Sequence, residues 1–270
     1  MVEKPWRPRK SLGQNFLVSD AIARRIVELA DIEGERVLEI GPGRGALTHF
    51  LCESAQEVYA VEVDPVVAAE LPALVDAQNL TVILDDILET DLTTIASAAG
   101  VERLPIIANL PYVISSRVLV HLFQNLDAVS RVTFMVQLEV GERILSPPGS
   151  RVYGLMSVLM QAAGTLKRGF RVPPGAFRPR PKVHSVVINW HVNETHDYDP
   201  KVLLTLVRAA FNQRRKRIGN ALRKLSGVSQ EELDNAFRVA DIDPGRRAEQ
   251  LSAAEFVTLS KAIFPSGGTG

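Results

Sequence analysis

Apolar and polar residues follow each other along residues 18–195 in a pattern that predicts short buried strands separated by helices. The predicted strands are Arg36–Ile40, Val58–Glu62, Leu80–Leu84, Leu104–Ala108, Arg131–Gln137, Leu166–Val172 and Val183–Trp190. The predicted helices are Asp20–Ala30, a helix ending at Leu51, Pro65–Val75, Ser115–Asn125, Leu138–Leu145 and Tyr153–Gly164. Strands that alternate with helices predict an α/β domain built on an open sheet.

The remainder of the chain predicts helices alone. Asn193–Asp199 is polar and ends in Asp-Pro, as a linker would, and Leu203–Phe211 is amphipathic. A basic helix over Gln213–Leu225 and two capping boxes, Ser229 with Glu232 and Ser252 with Glu255, follow it. We therefore expect a basic N-terminal arm (residues 1–17), an α/β domain (18–195) and a small all-helical domain (196–270).

Composition changes this picture only through the distribution of charge. The chain has 270 residues with 31 basic and 31 acidic side chains, so the net charge indicates no partner. However, no Lys or Arg lies between Arg44 and Arg103, whereas Thr205–Leu225 carries seven cations and no acid. Such a segment predicts a surface for a polyanion rather than an ordinary solvated face.

Cys52 is the only cysteine, which excludes an intrachain disulfide and a cysteine metal cluster and suits a reducing cytosol. The five histidines have no metal-ligand spacing, so we expect no metal. No signal peptide or membrane span is evident. These observations favour a cytoplasmic protein without a membrane partner.

A glycine-rich turn follows the first predicted strand of the α/β domain. Gly41, Gly43 and Gly45 precede a helix, and glycines let a ligand approach the backbone closely. Glu62 ends the next strand 17 residues beyond Gly45, near the place where nucleotide-binding sheets put a carboxylate on ribose hydroxyls. Asp86, after the third strand, can accept a hydrogen bond from an adenine amine, whereas Asp85 can simply cap a turn. Together they predict a nucleoside-containing ligand.

The fourth strand ends in Asn109-Leu110-Pro111-Tyr112, which places an amide, a forced turn and an aromatic ring at a strand's carboxyl end. The Asn109 side chain and the Leu110 carbonyl can each accept a hydrogen from an aromatic amine, and Tyr112 can stack on the base. An ordinary turn is the alternative.

Phe177 lies in a proline-rich loop among Arg178, Arg180 and Lys182, and predicts either an exposed stacking ring for a base or a packed hairpin residue. The cations expected to bind a polyanion such as a nucleic acid are Arg214, Arg215, Lys216, Arg217, Arg223 and Lys224.

Taken together, the ordered motifs resemble those of the ribosomal RNA adenine dimethyltransferases. They are Leu12–Leu17, Glu39–Gly43, Glu62–Asp64, Asp86, Asn109–Tyr112, Tyr153-Gly154 and Phe177–Ser185, and with Phe211–Lys216 they cover about residues 10–225. The last segment and Tyr153-Gly154 favour the small-subunit branch. The set is highly specific, although Val113 stands where Asn is frequent and Leu138 where Lys or Arg is common.

The resemblance implies a Rossmann-like class I methyltransferase sheet of seven strands, the last antiparallel. It also implies S-adenosylmethionine as methyl donor, S-adenosylhomocysteine as product, and N6,N6-dimethylation of two adjacent adenines in a hairpin near the 3′ end of small-subunit rRNA. The partner would be a pre-30S particle and the enzyme a monomer. By motif match the donor would contact Gln14, Asn15, Leu17, Glu39, Gly41, Gly43, Gly45, Glu62, Asp86, Ile87 and Asn109. Asn109, Leu110, Tyr112 and Phe177 would hold the base.

The sequence leaves two alternatives. One is an Erm-like enzyme that methylates an adenine of large-subunit rRNA. The other is a nucleic-acid-binding or assembly factor on the same fold without catalysis. The presence of Asn109, Tyr112, Glu62 and the glycines favours an enzyme.

Overall fold

The computed structural model describes residues 15–264. The strands are β1 Phe16–Leu17, β2 Arg36–Ile40, β3 Glu57–Glu62, β4 Leu80–Leu84, β5 Leu104–Asn109, β6 Val129–Gln137, β7 Gly164–Val172, β8 Phe177–Arg178 and β9 Ser185–Val192. The helices are α1 Asp20–Ala30, α2 Thr48–Ser54, α3 Pro65–Val75, α4 Leu92–Ala98, α5 Ser115–Gln124, α6 Leu138–Ile144, α7 Leu155–Ala163, α8 Pro200–Asn212, α9 Ile218–Leu222, α10 Gln230–Val239 and α11 Ala253–Ile263.

A seven-stranded sheet has the order β4-β3-β2-β5-β6-β9-β7, and a separate pair joins β1 to β8. The pairs formed by β2 with β3 and β5, by β3 with β4 and by β5 with β6 are parallel, whereas β9 runs antiparallel to β6. The central strands are almost wholly apolar because helices cover both faces of such a sheet. The predicted α/β sheet with a reversed strand is therefore confirmed.

The register of the parallel strands brings their carboxyl ends to one edge of the sheet. Ile40 of β2 pairs with Val61 of β3 on one side and with Ala108 of β5 on the other. The residues that follow these strands, Gly41 and Asp64 among them, consequently gather at that edge, where open α/β sheets bind ligands.

Contacts divide the chain into two compact units. The first comprises the described residues up to Gly141 together with Lys167–His191. The second comprises Glu142–Leu166 and the described residues from Val192 onward. Among the described residues, no helix is long and apolar enough to cross a membrane.

In the second unit, helices α7, α8 and α11 pack on one another, and α10 packs on α11. The rings of Tyr153 and Phe256 both lie against Phe211, with centroids 6.3 and 6.0 Å away. Both predicted capping boxes are present at the starts of α10 and α11. The predicted all-helical C-terminal segment is therefore confirmed as far as residue 264.

The predicted basic helix over Gln213–Leu225 is wrong. Helix α8 ends at Asn212, and only Ile218–Leu222 is helical in that range. Arg217 has an extended backbone and forms an antiparallel bridge with Arg247. Four successive cations would repel one another along a helix, and the bridge satisfies the backbone in another way.

Helix α4 was not predicted, because its seven residues include two threonines and give only a weak periodic signal. Asp91 caps it by accepting a hydrogen bond from Thr93 N.

Candidate active site

The turn after β2 has the backbone geometry that its glycines suggest. Gly41, Gly43 and Gly45 all have positive φ, at 66°, 55° and 84°. A Cβ on Gly45 would lie 2.8 Å from Val75 Cγ2, so this glycine serves the packing of the turn against α3. A Cβ on Gly41 would meet nothing within 4 Å. Gly41 therefore leaves open space beside the backbone, as close approach of a ligand requires.

Glu62 forms hydrogen bonds with the backbone of this turn. Its side chain is 5% exposed, and its two oxygens accept hydrogen bonds from Gly43 N (3.2 Å) and Asp64 N (2.9 Å). A charged acceptor that also fixes the glycine turn is preorganised for further donors such as ribose hydroxyls. Asp64 in turn caps α3 by accepting from Val66 N.

Glu39, on β2, is another deeply buried carboxyl group at this edge. Its exposure is 1%, and Oε2 has no hydrogen-bond partner among the described residues. Burial raises the pKa of Glu39 from 4.5 to about 8, and the negative charge of Glu62 adds to the shift. The surroundings of Glu39 therefore favour its neutral, protonated form.

This raised pKa predicts a pH-dependent stability. The folded state keeps a proton on Glu39 that the unfolded chain releases above about pH 4.5, so the free energy of unfolding should fall as the pH rises toward 8. We expect the wild type to lose about 1 kcal/mol per pH unit more than Glu39→Gln between about pH 5 and pH 8. Urea unfolding at three pH values measures this, with Glu70→Gln on α3 as the exposed control. Parallel slopes for the wild type and Glu39→Gln would contradict a neutral Glu39.

The turn after β4 contains the two adjacent acids. Asp85 accepts hydrogen bonds from Thr90 Oγ1 (2.8 Å) and Asp86 N (2.9 Å), so it stabilises the turn. Asp86 Oδ1 accepts from Leu88 N at 3.0 Å, and the adjacent Ile87 is buried. Asp86 is partly exposed, so its carboxylate remains reachable beside an apolar surface.

The turn after β5 presents the amide and the aromatic ring. Leu110 N donates to Met135 O at 3.3 Å, which fixes the peptide that follows Asn109. The Asn109 side chain makes no hydrogen bond within the described part of the chain. Tyr112 is half-buried and its hydroxyl lies 2.8 Å from Ser185 Oγ. Burial raises the pKa of Tyr112 above its ordinary value, so the phenol is neutral at pH 7.

A single cavity in the first unit joins these turns. The predicted residues that line it are Asn15, Leu17, Glu39, Gly41, Gly43, Glu62, Asp86, Ile87, Asn109, Leu110 and Tyr112. Gly45 does not line it, and Gln14 lies outside the described residues. The cavity offers carboxylates and apolar walls at one end and the Asn109–Tyr112 turn at the other. It is chemically suited to bring a nucleoside-containing donor next to an aromatic amine.

The sequence comparisons identify the family. The family model described as ribosomal RNA adenine dimethylase matches residues 6–264.

The chain belongs to the ribosomal RNA adenine dimethylase family.

Its curated relatives include two proteins called ribosomal RNA small subunit methyltransferase A. The protein from Geobacter metallireducens is 41% identical over 268 residues, covering 97% of this chain and 98% of the relative. The protein from Leptothrix cholodnii is 41% identical over 258 residues, covering 95% and 92%. The chain is therefore an enzyme, an rRNA adenine dimethyltransferase.

Two solved structures share the fold at 22% sequence identity. A dimethyladenosine transferase from Plasmodium falciparum has a TM-score of 0.71, with 90% of this chain and 95% of that chain covered. The 23S rRNA methyltransferase ErmE has a TM-score of 0.64, with 92% and 99% covered. The predicted class I methyltransferase fold is confirmed.

Phe177 departs from the expectation of an exposed ring. It is 1% exposed and belongs to the apolar core with Leu17, Val172 and Ala176. Its backbone pairs with Leu17 across β1 and β8, which turns the side chain inward. The packed alternative describes Phe177 in this structure, and Phe177 is not among the residues that line the cavity, whereas Tyr112 is.

Sequence reasoning missed Phe16 and Ser185. Phe16 lines the cavity, and a Cβ on Gly43 would lie 3.0 Å from its ring, so the ring packs over the glycine turn. Its position within the Leu12–Leu17 motif was the available signal. Val113, which departs from the family pattern, also lines the cavity and is 69% exposed. Leu138, the other departure, begins α6.

The basic residues of the second unit surround a surface hollow of their own. Its lining contains no acid and consists of Gln213, Arg215, Lys216, Arg217, Asn220, Arg223, Lys224, Gly245, Arg247 and Gln250. The guanidinium of Arg214 instead donates a hydrogen bond to Arg151 O, and its Nε lies 3.8 Å from Glu249 Oε2. Arg247 joins the cluster through its bridge with Arg217, a contact between distant segments that the sequence pattern could not reveal.

Proposed function

We propose that this enzyme transfers methyl groups from S-adenosylmethionine to N6 of two adjacent adenines in a hairpin near the 3′ end of small-subunit rRNA. The observation that carries the proposal is the Asn109 side chain, which has no hydrogen-bond partner among residues 15–264 and stands at the wall of the cavity that Glu62 and Asp86 also line. The names and 41% identities of the curated relatives support the small subunit as the substrate. We further propose that it acts as a cytoplasmic monomer on a pre-30S particle.

The residues present fit S-adenosylmethionine. We assign the ribose hydroxyls to Glu62, the adenine to Asp86 and Ile87, and the amino-acid part to the open space at Gly41, with Asn15, Leu17, Glu39 and Gly43 completing the wall. S-adenosylmethionine supplies a methyl group on a positively charged sulfur, which is intrinsically electrophilic. Burial raises the pKa of Glu39 and so favours the neutral form of this carboxyl group.

The target adenine must leave its stack to enter the cavity. The Asn109 side chain and the Leu110 carbonyl each accept one N6 hydrogen, which favours the geometry in which the nitrogen lone pair is available. They also stabilise the positive charge that develops on N6 as it is methylated. Tyr112 stacks on the base. After one methyl has been added only one hydrogen remains for two acceptors, so the second transfer relies more on stacking.

An Erm-like action on large-subunit rRNA is the competing proposal. The likeness to ErmE is limited to the fold at 22% identity, whereas the small-subunit relatives reach 41%.

Undermethylated small and large ribosomal subunits, each incubated with the protein and labelled donor, distinguish the two. Mass mapping should find two adjacent dimethyladenines in small-subunit rRNA. Methylation confined to the large subunit, or absent from both, would overturn the proposal.

We propose that RNA is held partly by the basic hollow of the second unit. Changing Arg215, Arg217 and Arg223 to Gln should weaken binding of the rRNA hairpin because phosphate contacts are lost. The salt dependence should flatten by about one slope unit for each lost contact. Filter binding across a salt series measures this, with Arg238→Gln on α10 as an exposed control outside the hollow. Unchanged affinity at low salt would make the hollow an ordinary solvated surface.

A further inference from the structure

The hydroxyl of Tyr112 has a partner that lies far away in the sequence. Ser185 is 73 residues further along the chain, and its Oγ is 2.8 Å from the phenol oxygen. Within the described part of the chain, each of these two hydroxyls is the other's only side-chain hydrogen-bond partner. The contact therefore joins the base-holding turn after β5 to a different strand of the same unit.

Ser185 is fixed from several directions. It is the first residue of β9, is 0% exposed, and pairs with Gln137 at the end of β6. The backbone carbonyl of the preceding residue, His184, accepts a hydrogen bond from Leu138 N at 2.9 Å. The Ser185 hydroxyl therefore has little conformational freedom, so a hydrogen bond to it can restrain the Tyr112 side chain.

Tyr112 itself lies in a turn rather than in a strand or helix. Its backbone carbonyl accepts a hydrogen bond from Ser115 Oγ at 3.3 Å, which restrains the main chain. That bond leaves rotation about the side-chain torsions of Tyr112 unrestrained. The bond to Ser185 restrains the far end of the ring and thereby determines the plane that the ring presents to the cavity.

We propose that Ser185 is a positioning residue that holds the ring of Tyr112 in the orientation needed to stack on the target adenine. This inference rests on the proposed function. The effect should be largest in the second methyl transfer, because the monomethylated amine has lost one of its two hydrogens and the base depends more on stacking.

Ser185→Ala should slow the second transfer about three- to tenfold, the effect of one neutral hydrogen bond, and should slow the first transfer less. Monomethyladenine should accumulate in a single-turnover assay, and donor affinity should stay unchanged. Tyr112→Phe removes the same bond from its other end and should give the same pattern. The double variant should be no slower than either single variant.

Ser130→Ala is the matched control. Ser130 lies on β6 of the same sheet, and its buried hydroxyl has no hydrogen-bond partner among the described residues. Both transfer rates should remain at the wild-type value. If Ser185→Ala does not fold, Tyr112→Phe carries the kinetic test.

An absorbance titration of the tyrosines gives a readout that does not depend on activity. Burial raises the pKa of Tyr112 and the hydrogen bond with Ser185 lowers it, so losing the bond should raise that pKa further. Subtracting the Tyr112→Phe curve from the wild type, and the double-variant curve from Ser185→Ala, isolates Tyr112 in each background.

Additive losses in the double variant, equal slowing of both transfers, or an unchanged Tyr112 pKa would each overturn the role of Ser185. A wild-type enzyme that leaves small-subunit rRNA unmethylated, with the pKa still shifted by Ser185→Ala, would overturn the proposed function instead.

Discussion

Replacing Asn109 by Ala should lower the single-turnover rate of methyl transfer by about 10²–10³-fold, by analogy with the loss of one oxyanion-hole donor. The change removes the acceptor that we propose orients the amine and stabilises its developing positive charge. The first transfer should suffer most, since the unmethylated amine has two hydrogens to donate. Donor affinity should change little because Glu62, Asp86 and the glycine turn remain. RNA affinity should also hold because it arises mainly from the basic surfaces.

Asn109→Asp is the matched variant, since it keeps an acceptor oxygen at the same position and should lose less activity than Asn109→Ala. Counting mono- and dimethyladenine over time gives both transfer rates. Near-normal turnover of Asn109→Ala would mean that Asn109 is a turn residue and that the target base binds elsewhere.

Glu62→Ala should weaken binding of S-adenosylmethionine by about 1.5–3 kcal/mol, the range for hydrogen bonds to a charged group. In the proposed site, the two ribose hydroxyls of the donor would lose their acceptor. The same change leaves Gly43 N and Asp64 N without the carboxylate that they contact at 3.2 and 2.9 Å. We therefore expect the thermal midpoint of unfolding to fall as well.

Glu62→Gln separates the two effects, because the amide oxygen can still accept from one backbone N–H while the negative charge is lost. Calorimetry with the donor, alongside thermal unfolding, measures both. If Glu62→Gln binds the donor like the wild type and only Glu62→Ala is impaired, the carboxylate supports the turn and does not contact the ribose.

The parts of the fold and site that the sequence predicted are those specified by local pattern. The apolar runs predicted all seven sheet strands, and the glycine turn, Glu62 and Asn109 each follow such a run directly. Because parallel strands bring their carboxyl ends to one edge of a sheet, the local pattern alone is enough to place these residues near one another. Helix α3 begins and ends where it was predicted. Its start was specific because Asp64 and Pro65 are typical of the first positions of a helix.

The features that were missed depend on contacts between distant segments. The burial of Phe177 follows from the pairing of β8 with β1, and neither two-residue strand has a pattern of its own. The break after Asn212 follows from the bridge between Arg217 and Arg247. Ser185 lies next to Tyr112 only because β9 returns antiparallel to β6. None of these contacts leaves a local signal.

The two units are interleaved along the chain, because Glu142–Leu166 belongs with the C-terminal helices. Helix α7 within that insert packs against α8 and α11, and its Val158, Leu159 and Met160 are 0% exposed. Cutting the chain after His191 would remove α8 and α11 and expose the apolar face of α7 to solvent, which would favour aggregation. A free-standing catalytic half therefore requires two edits: removal of the C-terminal helices and replacement of the insert by a short polar linker.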